Sequence, residues 1–211
     1  MKISHAKFAM VILLLAAASS AQATPVTVPN FSFENPVGTG PNATNWTANG
    51  GAGTGGYANF GFTNYPDGSQ YHWLNLPGFG GPDPSVTESN STLIGSALVG
   101  TYTLTVAGGN RPNFATTDGK YVIELLAGGV VIGSQTLVDP SAISNIPLDT
   151  WKDITAVAVV NTGDAAVGQD LTIRLSAFKG MVELRSQGQF DNVRLDYNTA
   201  VPVELSGFTV E

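Results

Sequence analysis

The sequence contains no cysteine, and only two of its 211 residues are histidines. The chain therefore has no thiol nucleophile, no thiolate metal site and no disulfide. Its fold must be stabilised by burial of an apolar core, and a bound ion would be a further source of stability. One histidine, His5, lies at the amino terminus, which leaves His72 for the rest of the chain. This scarcity argues against a serine–histidine couple and against a multi-histidine zinc site.

Long apolar runs are scarce as well, and the clearest one lies near the amino terminus. Residues 8–18 are apolar, the basic residues Lys2 and Lys7 precede them, and residues 21–23 read Ala-Gln-Ala, the small-x-small pattern of a signal-peptidase site. The run is well short of the roughly 20 residues that span a bilayer. We therefore predict that residues 1–23 are a cleavable signal peptide. The mature protein then begins at Thr24 and is secreted, to the periplasm or beyond the cell.

Basic residues are few: the chain has nine Lys and Arg residues and sixteen Asp and Glu residues, which gives a net charge of −7. Loss of Lys2 and Lys7 with the leader leaves seven basic residues and a net charge of −9. Such a surface repels phosphate backbones and anionic lipids and is compatible with a cation. We predict neither nucleic acid nor a membrane as a partner.

Helical periodicity is absent beyond the leader, whereas short alternating runs are frequent. Tyr102, Leu104 and Val106 alternate with threonines, and residues 171–176 show the same period of two, so each run has one apolar and one polar face. Gly128 and Gly129 separate two apolar runs, which is a strong signal for a tight hairpin. These features predict an all-β fold, a two-sheet antiparallel β-sandwich of the jelly-roll type.

The predicted organisation is a single domain. A signal peptide occupies residues 1–23, one β-sandwich domain covers residues 24–198, and residues 199–211 form a tail, either an edge strand or a mobile end. Three stretches rich in Gly, Pro or Asn are predicted to be loops, residues 36–61, 77–91 and 108–119.

Two short motifs bracket the predicted domain. Residues 30–35 read Asn-Phe-Ser-Phe-Glu-Asn, and residues 190–195 read Phe-Asp-Asn-Val-Arg-Leu. The pair resembles the galactose-binding-like jelly-roll modules of secreted proteins, which include carbohydrate-binding modules of xylanases. The resemblance implies that the first and last strands lie side by side. It also implies a structural calcium ion held by Glu34 and Asp191, with Asn192 as a lesser ligand; calcium takes roughly six to eight oxygen ligands.

Aromatic side chains are concentrated in residues 57–79. Tyr65, Tyr71 and Trp73 are the best candidates for a ligand surface, because sugar rings and small apolar ligands stack on aromatic faces. The Asn, Asp and Gln residues between them suit a ligand that carries hydroxyl groups. The alternative is that many of these aromatics belong to the core; Tyr71 and Trp73 share one face of a predicted strand.

Further segments resemble the calcium-dependent Stig cyclases of cyanobacterial indole-alkaloid pathways. The similar segments are residues 100–106 (Gly-Thr-Tyr-Thr-Leu-Thr-Val), 122–128 (Val-Ile-Glu-Leu-Leu-Ala-Gly), 173–175 and 190–195. The resemblance implies an aromatic pocket for a prenylated indole isonitrile. It also implies an acidic residue, just before the final calcium-motif strand, that protonates this substrate. In this chain residues 186–189 read Ser-Gln-Gly-Gln, without a carboxylate.

Because that acid is missing, we expect a secreted, calcium-stabilised binding module for extracellular or envelope carbohydrate rather than an enzyme. The first alternative is a calcium-dependent cyclase that uses Tyr71 and Trp73 on a prenylated indole or a similar apolar substrate. The second is a structural protein of the extracellular matrix. A closed aromatic pocket favours the cyclase, and a shallow groove with an exposed Trp73 favours the sugar-binding module. No catalytic residue is assigned.

Overall fold

The computed structural model describes residues 23–41, 43–48, 55–76, 87–112, 119–140, 142, 145–178 and 186–199. Nearly all of the predicted signal peptide and of the predicted tail lies outside these ranges, so both assignments stay predictions. Among the described residues, none form a helix with the length and apolar character that a membrane crossing requires.

Within these ranges, twelve strands form two antiparallel sheets that pack face to face. The strands are β1 (Thr24–Val26), β2 (Gly40–Pro41), β3 (Thr47–Ala48), β4 (Gly55–Ala58), β5 (Tyr71–Leu76), β6 (Thr87–Ser96), β7 (Gly100–Asn110), β8 (Lys120–Ala127), β9 (Val130–Val138), β10 (Thr150–Val160), β11 (Asp170–Phe178) and β12 (Ser186–Asn198). Sheet A has the order β10-β7-β12-β5-β4-β2, with β1 paired to the end of β12, and sheet B has the order β3-β6-β11-β8-β9. The predicted all-β sandwich is confirmed.

The core between the sheets follows from the period-two runs of the sequence. Tyr102 and Leu104 of β7 are at most 2% exposed, as are Leu171 and Ile173 of β11, and all four belong to one apolar cluster. Burying a large apolar side chain contributes roughly 1.5–3 kcal/mol, so the alternating strands of both sheets together stabilise a fold that has no disulfide.

The hairpin predicted around two glycines is confirmed. Ala127 of β8 pairs with Val130 of β9, and Gly128 and Gly129 between them have φ angles of 57° and 81°. Two consecutive residues in the left-handed region form the turn that matches the twist of the flanking strands, and glycine adopts this region without steric cost.

The predicted loops are wrong in part. Residues 87–91 belong to β6, residues 108–110 belong to β7, and residues 36–61 include β2, β3 and β4. Gly109 lies within β7, and the position requires glycine because a side chain there would collide with the rings of Trp151 and Phe62. Glycine here marks close packing against a sheet rather than a turn.

Candidate functional site

The two bracketing motifs lie next to each other, as predicted. β1 pairs with β12 so that Val26 lies opposite Leu195, and the backbone N–H of Val193 donates to the carbonyl of Phe31 at 2.8 Å. The early and late motifs therefore form one surface, although about 160 residues separate them in sequence.

A β-bulge in β12 sets the position of Asp191. The register with β7 shifts between Asp191 and Arg194, and Asn192 has a φ of 47°, a left-handed conformation that asparagine tolerates better than most residues. The bulge allows Phe190 and Val193 both to enter the core although three positions separate them. It leaves Asp191 fully buried.

Residues 67–70 lie between the carboxylates of Glu34 and Asp191. Glu34 Oε1 accepts the backbone N–H groups of Ser69 (2.8 Å) and Gln70 (2.7 Å), and its Oε2 accepts the Ser69 hydroxyl at 3.0 Å. Asp191 accepts the N–H of Asp67 on Oδ2 (3.3 Å) and that of Asn192 on Oδ1 (2.6 Å). One short loop thus connects the two predicted calcium ligands.

The charges of Glu34 and Asp67 act on the carboxylate of Asp191, and we call these three residues the carboxylate group. Desolvation raises the pKa of Asp191 to about 8; the hydrogen bonds from Asn192 and Asp67 oppose this rise, and the charges of Asp67 and Glu34 add to it. In the described part of the chain, no three Asp, Glu or His side chains form a group that could hold a metal ion. A cation at this position would therefore take its remaining oxygen ligands from backbone carbonyls or water.

Strand β5 separates two sets of aromatic residues. His72 and Leu74 point into the core, where the His72 ring stacks on Phe33 with centroids 4.7 Å apart and lies 6.1 Å from the Trp46 ring. Tyr71 and Trp73 point to the opposite, outer face of sheet A. The prediction that these two side chains share one face of a strand is therefore confirmed.

A second aromatic group covers this outer face. We define the aromatic cluster as the residues Phe62, Tyr65, Tyr71, Trp73 and Trp151. The Phe62 ring lies 4.2 Å from the Trp151 ring and 5.1 Å from the Tyr71 ring, and the Tyr65 and Tyr71 rings stack at 6.2 Å. The predicted ligand residues Tyr65, Tyr71 and Trp73 are therefore brought together, with Tyr71 fully buried and the other two half-buried.

The loop that carries Phe62 and Tyr65 is fastened to the start of β10. The Thr63 N–H donates to Asp149 Oδ1 at 2.9 Å, the Thr63 hydroxyl donates to the same carboxylate, and the Trp151 indole N–H donates to the Asn64 carbonyl at 2.9 Å. The Thr63 hydrogen bonds lower the pKa of Asp149. This loop closes the aromatic cluster on the side away from the core.

Polar groups are embedded in the aromatic cluster. The Tyr71 hydroxyl is buried and makes no hydrogen bond of good geometry to the described residues. Burial raises the pKa of Tyr71 to about 12, and the nearby Arg111 opposes this rise through its charge and through its side chain, which donates towards the phenol oxygen. The Arg111 guanidinium donates to Gln187 Oε1 at 3.0 Å and lies 4.9 Å from the centre of the Phe60 ring.

Sequence reasoning missed Arg111, which fell inside a predicted loop. The signal was present: Arg111 follows Gly109 by two positions at the end of β7, and a period of two places both on the same face of the sheet. The structure also buries His72, which lies within the aromatic-rich stretch of the sequence, in the core.

Several solved structures have the same fold. A cyclase from Fischerella sp. TAU is 22% identical, with a TM-score of 0.67 over 83% of this chain and 98% of its own. Another cyclase structure from Fischerella sp. TAU, a complex with 4-(1H-indol-3-yl)butan-2-one, is 23% identical, with a TM-score of 0.65 over 84% of this chain and 99% of its own. TmCBM61 with β-1,4-galactotriose has a TM-score of 0.53 at 14% identity over 80% and 95% of the two chains. Both predicted resemblances, to Stig cyclases and to carbohydrate-binding modules, are thus confirmed in the fold, and two of these three structures hold a small ligand. No curated protein matches the chain.

The predicted main function, a carbohydrate-binding module, is wrong. The family model described as HpiC1 cyclase matches residues 24–196, which is nearly the whole predicted domain. The absence of a carboxylate from residues 186–189 does not exclude the cyclase family, because one absent residue says less than similarity along a whole domain. The chain belongs to the HpiC1-like cyclase family.

Proposed function

We propose that this protein is a cyclase that binds a small indole-like substrate at the aromatic cluster and promotes ring closure there. The observation that carries the proposal is the closed aromatic cluster with buried polar groups on the outer face of sheet A, in a chain whose family is a cyclase family. Similar structures bind indole compounds, one of them (3Z)-3-(1-methyl-2-pyrrolidinylidene)-3H-indole.

The aromatic side chains act through their π-faces. A ring closure that passes through a cationic transition state gains stabilisation from aromatic faces, by about 0.5–2 kcal/mol per well-placed ring. The loop held by Thr63 and Asp149 packs Phe62 and Tyr65 against the buried Tyr71, and burial strengthens electrostatic interactions there. Trp73 and Tyr65 are half-buried, so we place the substrate ring against them.

Activation of the substrate relies on hydrogen bonding in this proposal. Gln187 and Gln189 occupy the stretch where the resemblance implies an acid, and the Gln189 side chain lies 2.9 Å from the Tyr121 hydroxyl beneath the sheet. The Tyr71 phenol stays protonated at neutral pH because its pKa is about 12. We assign Tyr71 as the group that donates a hydrogen bond to the reacting substrate, next to the permanent charge of Arg111.

We also propose that calcium binds at the carboxylate group, held by Glu34 and Asp191 with Asn192 and Asp67 nearby. The donor set fits a hard cation, since it consists of carboxylate oxygens, and the buried Asp191 is surrounded by backbone N–H groups and the charges of two further carboxylates. Bound calcium supplies that positive charge and holds residues 67–70 against β12. Secretion, as the leader predicts, would expose this group to calcium outside the cytoplasm.

Binding and turnover test the proposed function. We expect isothermal titration with 4-(1H-indol-3-yl)butan-2-one to show one site per chain. We also expect mass spectrometry after incubation with a prenylated indole isonitrile to show a cyclised product of unchanged mass, because ring closure is an isomerisation. Trp73→Ala should lower the turnover rate about tenfold or more, through loss of a stacking ring.

Val157→Ala is the matched control, because Val157 lies on the same sheet in β10, is 55% exposed and is outside the aromatic cluster. It should leave turnover unchanged. Absence of indole binding would disprove the site, and binding without an isomeric product would disprove cyclase activity while leaving the site in place.

A further inference from the structure

The loop between β4 and β5, residues 59–70, carries Phe62 and Tyr65 onto the outer face of sheet A. Both rings contact the Tyr71 ring: the Phe62 ring meets it edge-on at 5.1 Å, and the Tyr65 ring stacks on it at 6.2 Å. Tyr71 is 0% exposed although it lies on the face of sheet A that is turned away from sheet B. The positions of Phe62 and Tyr65 in this loop therefore decide the shape of the aromatic cluster.

Thr63 lies between these two aromatic residues in sequence and is held by the carboxylate of Asp149. Asp149 Oδ1 accepts the Thr63 backbone N–H at 2.9 Å, and Asp149 Oδ2 accepts the Thr63 hydroxyl. Hydrogen bonds to an ionised carboxylate are stronger than those between neutral groups. Thr63 is exposed, so these two hydrogen bonds, rather than burial, hold it in place.

Asp149 is itself held by the turn that precedes β10. Its backbone N–H donates to the Asn110 carbonyl at 2.8 Å, and the Asn110 side-chain amide donates to the Ile146 carbonyl at 2.7 Å. Asp149 has a φ of 61°, a left-handed conformation that aspartate tolerates better than most residues. Two residues on, the Trp151 indole N–H donates to the Asn64 carbonyl at 2.9 Å. The start of β10 thus presents a fixed acceptor and a fixed donor to the loop.

We infer that Asp149 is a positioning residue of the proposed cyclase, which acts through Thr63 to keep the two loop aromatics in the arrangement that receives the substrate ring. This inference rests on the proposed function, because that function places the ring against Tyr65 and Trp73. A ligand that binds one loop conformation has an apparent dissociation constant equal to the intrinsic value divided by the fraction of molecules in that conformation. Asp149 raises this fraction before the substrate arrives.

Asp149→Gly tests the inference, because glycine removes the carboxylate and adopts the left-handed φ without strain. We expect the dissociation constant for 4-(1H-indol-3-yl)butan-2-one, measured by titration calorimetry, to rise about tenfold. KM for a prenylated indole isonitrile should rise by a similar factor while kcat changes less than about twofold, because the saturated enzyme has the loop in place. A variant that merely loses folded protein would instead lower kcat and leave KM unchanged.

Asp149→Asn is the conservative variant. Its amide oxygen can accept the Thr63 N–H, its NH₂ group can donate to the Thr63 hydroxyl, and asparagine tolerates the same φ. We therefore expect this variant to keep the dissociation constant within about threefold of the unchanged protein. A rise as large as that of Asp149→Gly would show that these hydrogen bonds do not carry the effect and would overturn the inference.

A double-mutant cycle tests whether Asp149 acts through Thr63. Thr63→Val removes only the hydroxyl and should raise the dissociation constant about threefold in the unchanged protein. In the Asp149→Gly protein the hydroxyl has already lost its acceptor, so the same change should add less than about twofold. A further threefold rise in the double variant would show that the two residues act independently and would overturn the inference.

Asp164→Gly is the matched control. Asp164 is exposed, and its carboxylate accepts the Asn161 backbone N–H at 2.7 Å in the connection between β10 and β11, outside the aromatic cluster. Its dissociation constant and KM should equal those of the unchanged protein. Equal values in Asp164→Gly and Asp149→Gly overturn this inference alone, whereas absence of indole binding by the unchanged protein overturns it together with the proposed function.

Discussion

Calcium should raise the midpoint of thermal unfolding by roughly 5–10 °C at pH 8, when its concentration is about a hundredfold above its dissociation constant. A ligand bound only by the folded state then contributes about 2.7 kcal/mol, and about 1 kcal/mol shifts the midpoint of a domain of this size by roughly 2–4 °C. The buried carboxylate of Asp191 is the reason, since calcium would compensate its charge. Calorimetric scans with chelator and with added calcium measure the shift.

The calcium effect should depend on pH with a defined sign. Without a cation, the folded protein holds the Asp191 proton up to a pKa of about 8, far above the ordinary value of 3.8. The unfolded chain releases that proton near pH 4, so this carboxyl lowers the stability of the calcium-free protein progressively as pH rises from about 4 to 8. Calcium binding needs the ionised form, so the calcium-dependent gain should be larger at pH 8 than at pH 6.

Asp191→Asn should abolish most of the calcium gain, whereas Asp196→Asn, a change of the same type at a half-buried position of the same strand, should keep it. Magnesium serves as a second control, since it is smaller and requires a stricter octahedral geometry. An unchanged midpoint in saturating chelator, or an equal gain in both variants, would show that no calcium site exists at the carboxylate group.

His72→Phe should make the protein more resistant to acid by about 3 kcal/mol at pH 4, relative to pH 7. His72 is fully buried, neither ring nitrogen makes a hydrogen bond of good geometry, and burial lowers its pKa from 6.5 to about 3. The unfolded chain takes up a proton below pH 6.5 while the folded chain does not, so His72 costs stability increasingly as pH falls from 6.5 towards 3. Urea unfolding of both proteins at the two pH values measures the difference.

Phenylalanine is a suitable replacement because the His72 ring already stacks on Phe33 within an aromatic part of the core. His72→Leu is a second variant in case the larger ring packs poorly, and it should show the same pH difference. Asp191 titrates over part of this range, but its contribution is common to the proteins compared and is removed by subtraction. Parallel loss of stability in all three proteins would contradict a buried neutral histidine.

The strands and the hairpin were predictable because their signals are local. Alternation of Tyr102, Leu104 and Val106 specifies two faces whatever the rest of the chain does, and Gly128-Gly129 specifies a turn between adjacent runs. The glycines of β7 led to the wrong prediction of a loop at residues 108–110, because the reason for glycine there is not local. Gly109 is small because Trp151 and Phe62, distant in sequence, pack against it.

The candidate site was predictable only in part. Tyr71 and Trp73 had to share a face of β5, but alternation does not say which face the second sheet covers, so the sequence left the burial of His72 open. Arg111 carried no motif, and its burial depends on a loop some fifty residues earlier and on Gln187 of β12.

The sequence by itself determined a cysteine-free β-sandwich and a strand on which Tyr71 and Trp73 share one face, because residue periodicity and turn chemistry act over a few residues; the adjacency of the two bracketing motifs was implied by the resemblance to jelly-roll modules. Only the tertiary structure decided that β12 bulges at Asp191, that one loop connects this carboxylate to Glu34, and that a guanidinium lies inside the aromatic cluster. These features arise where strands far apart in sequence meet, and there burial and charge depend on every neighbour at once.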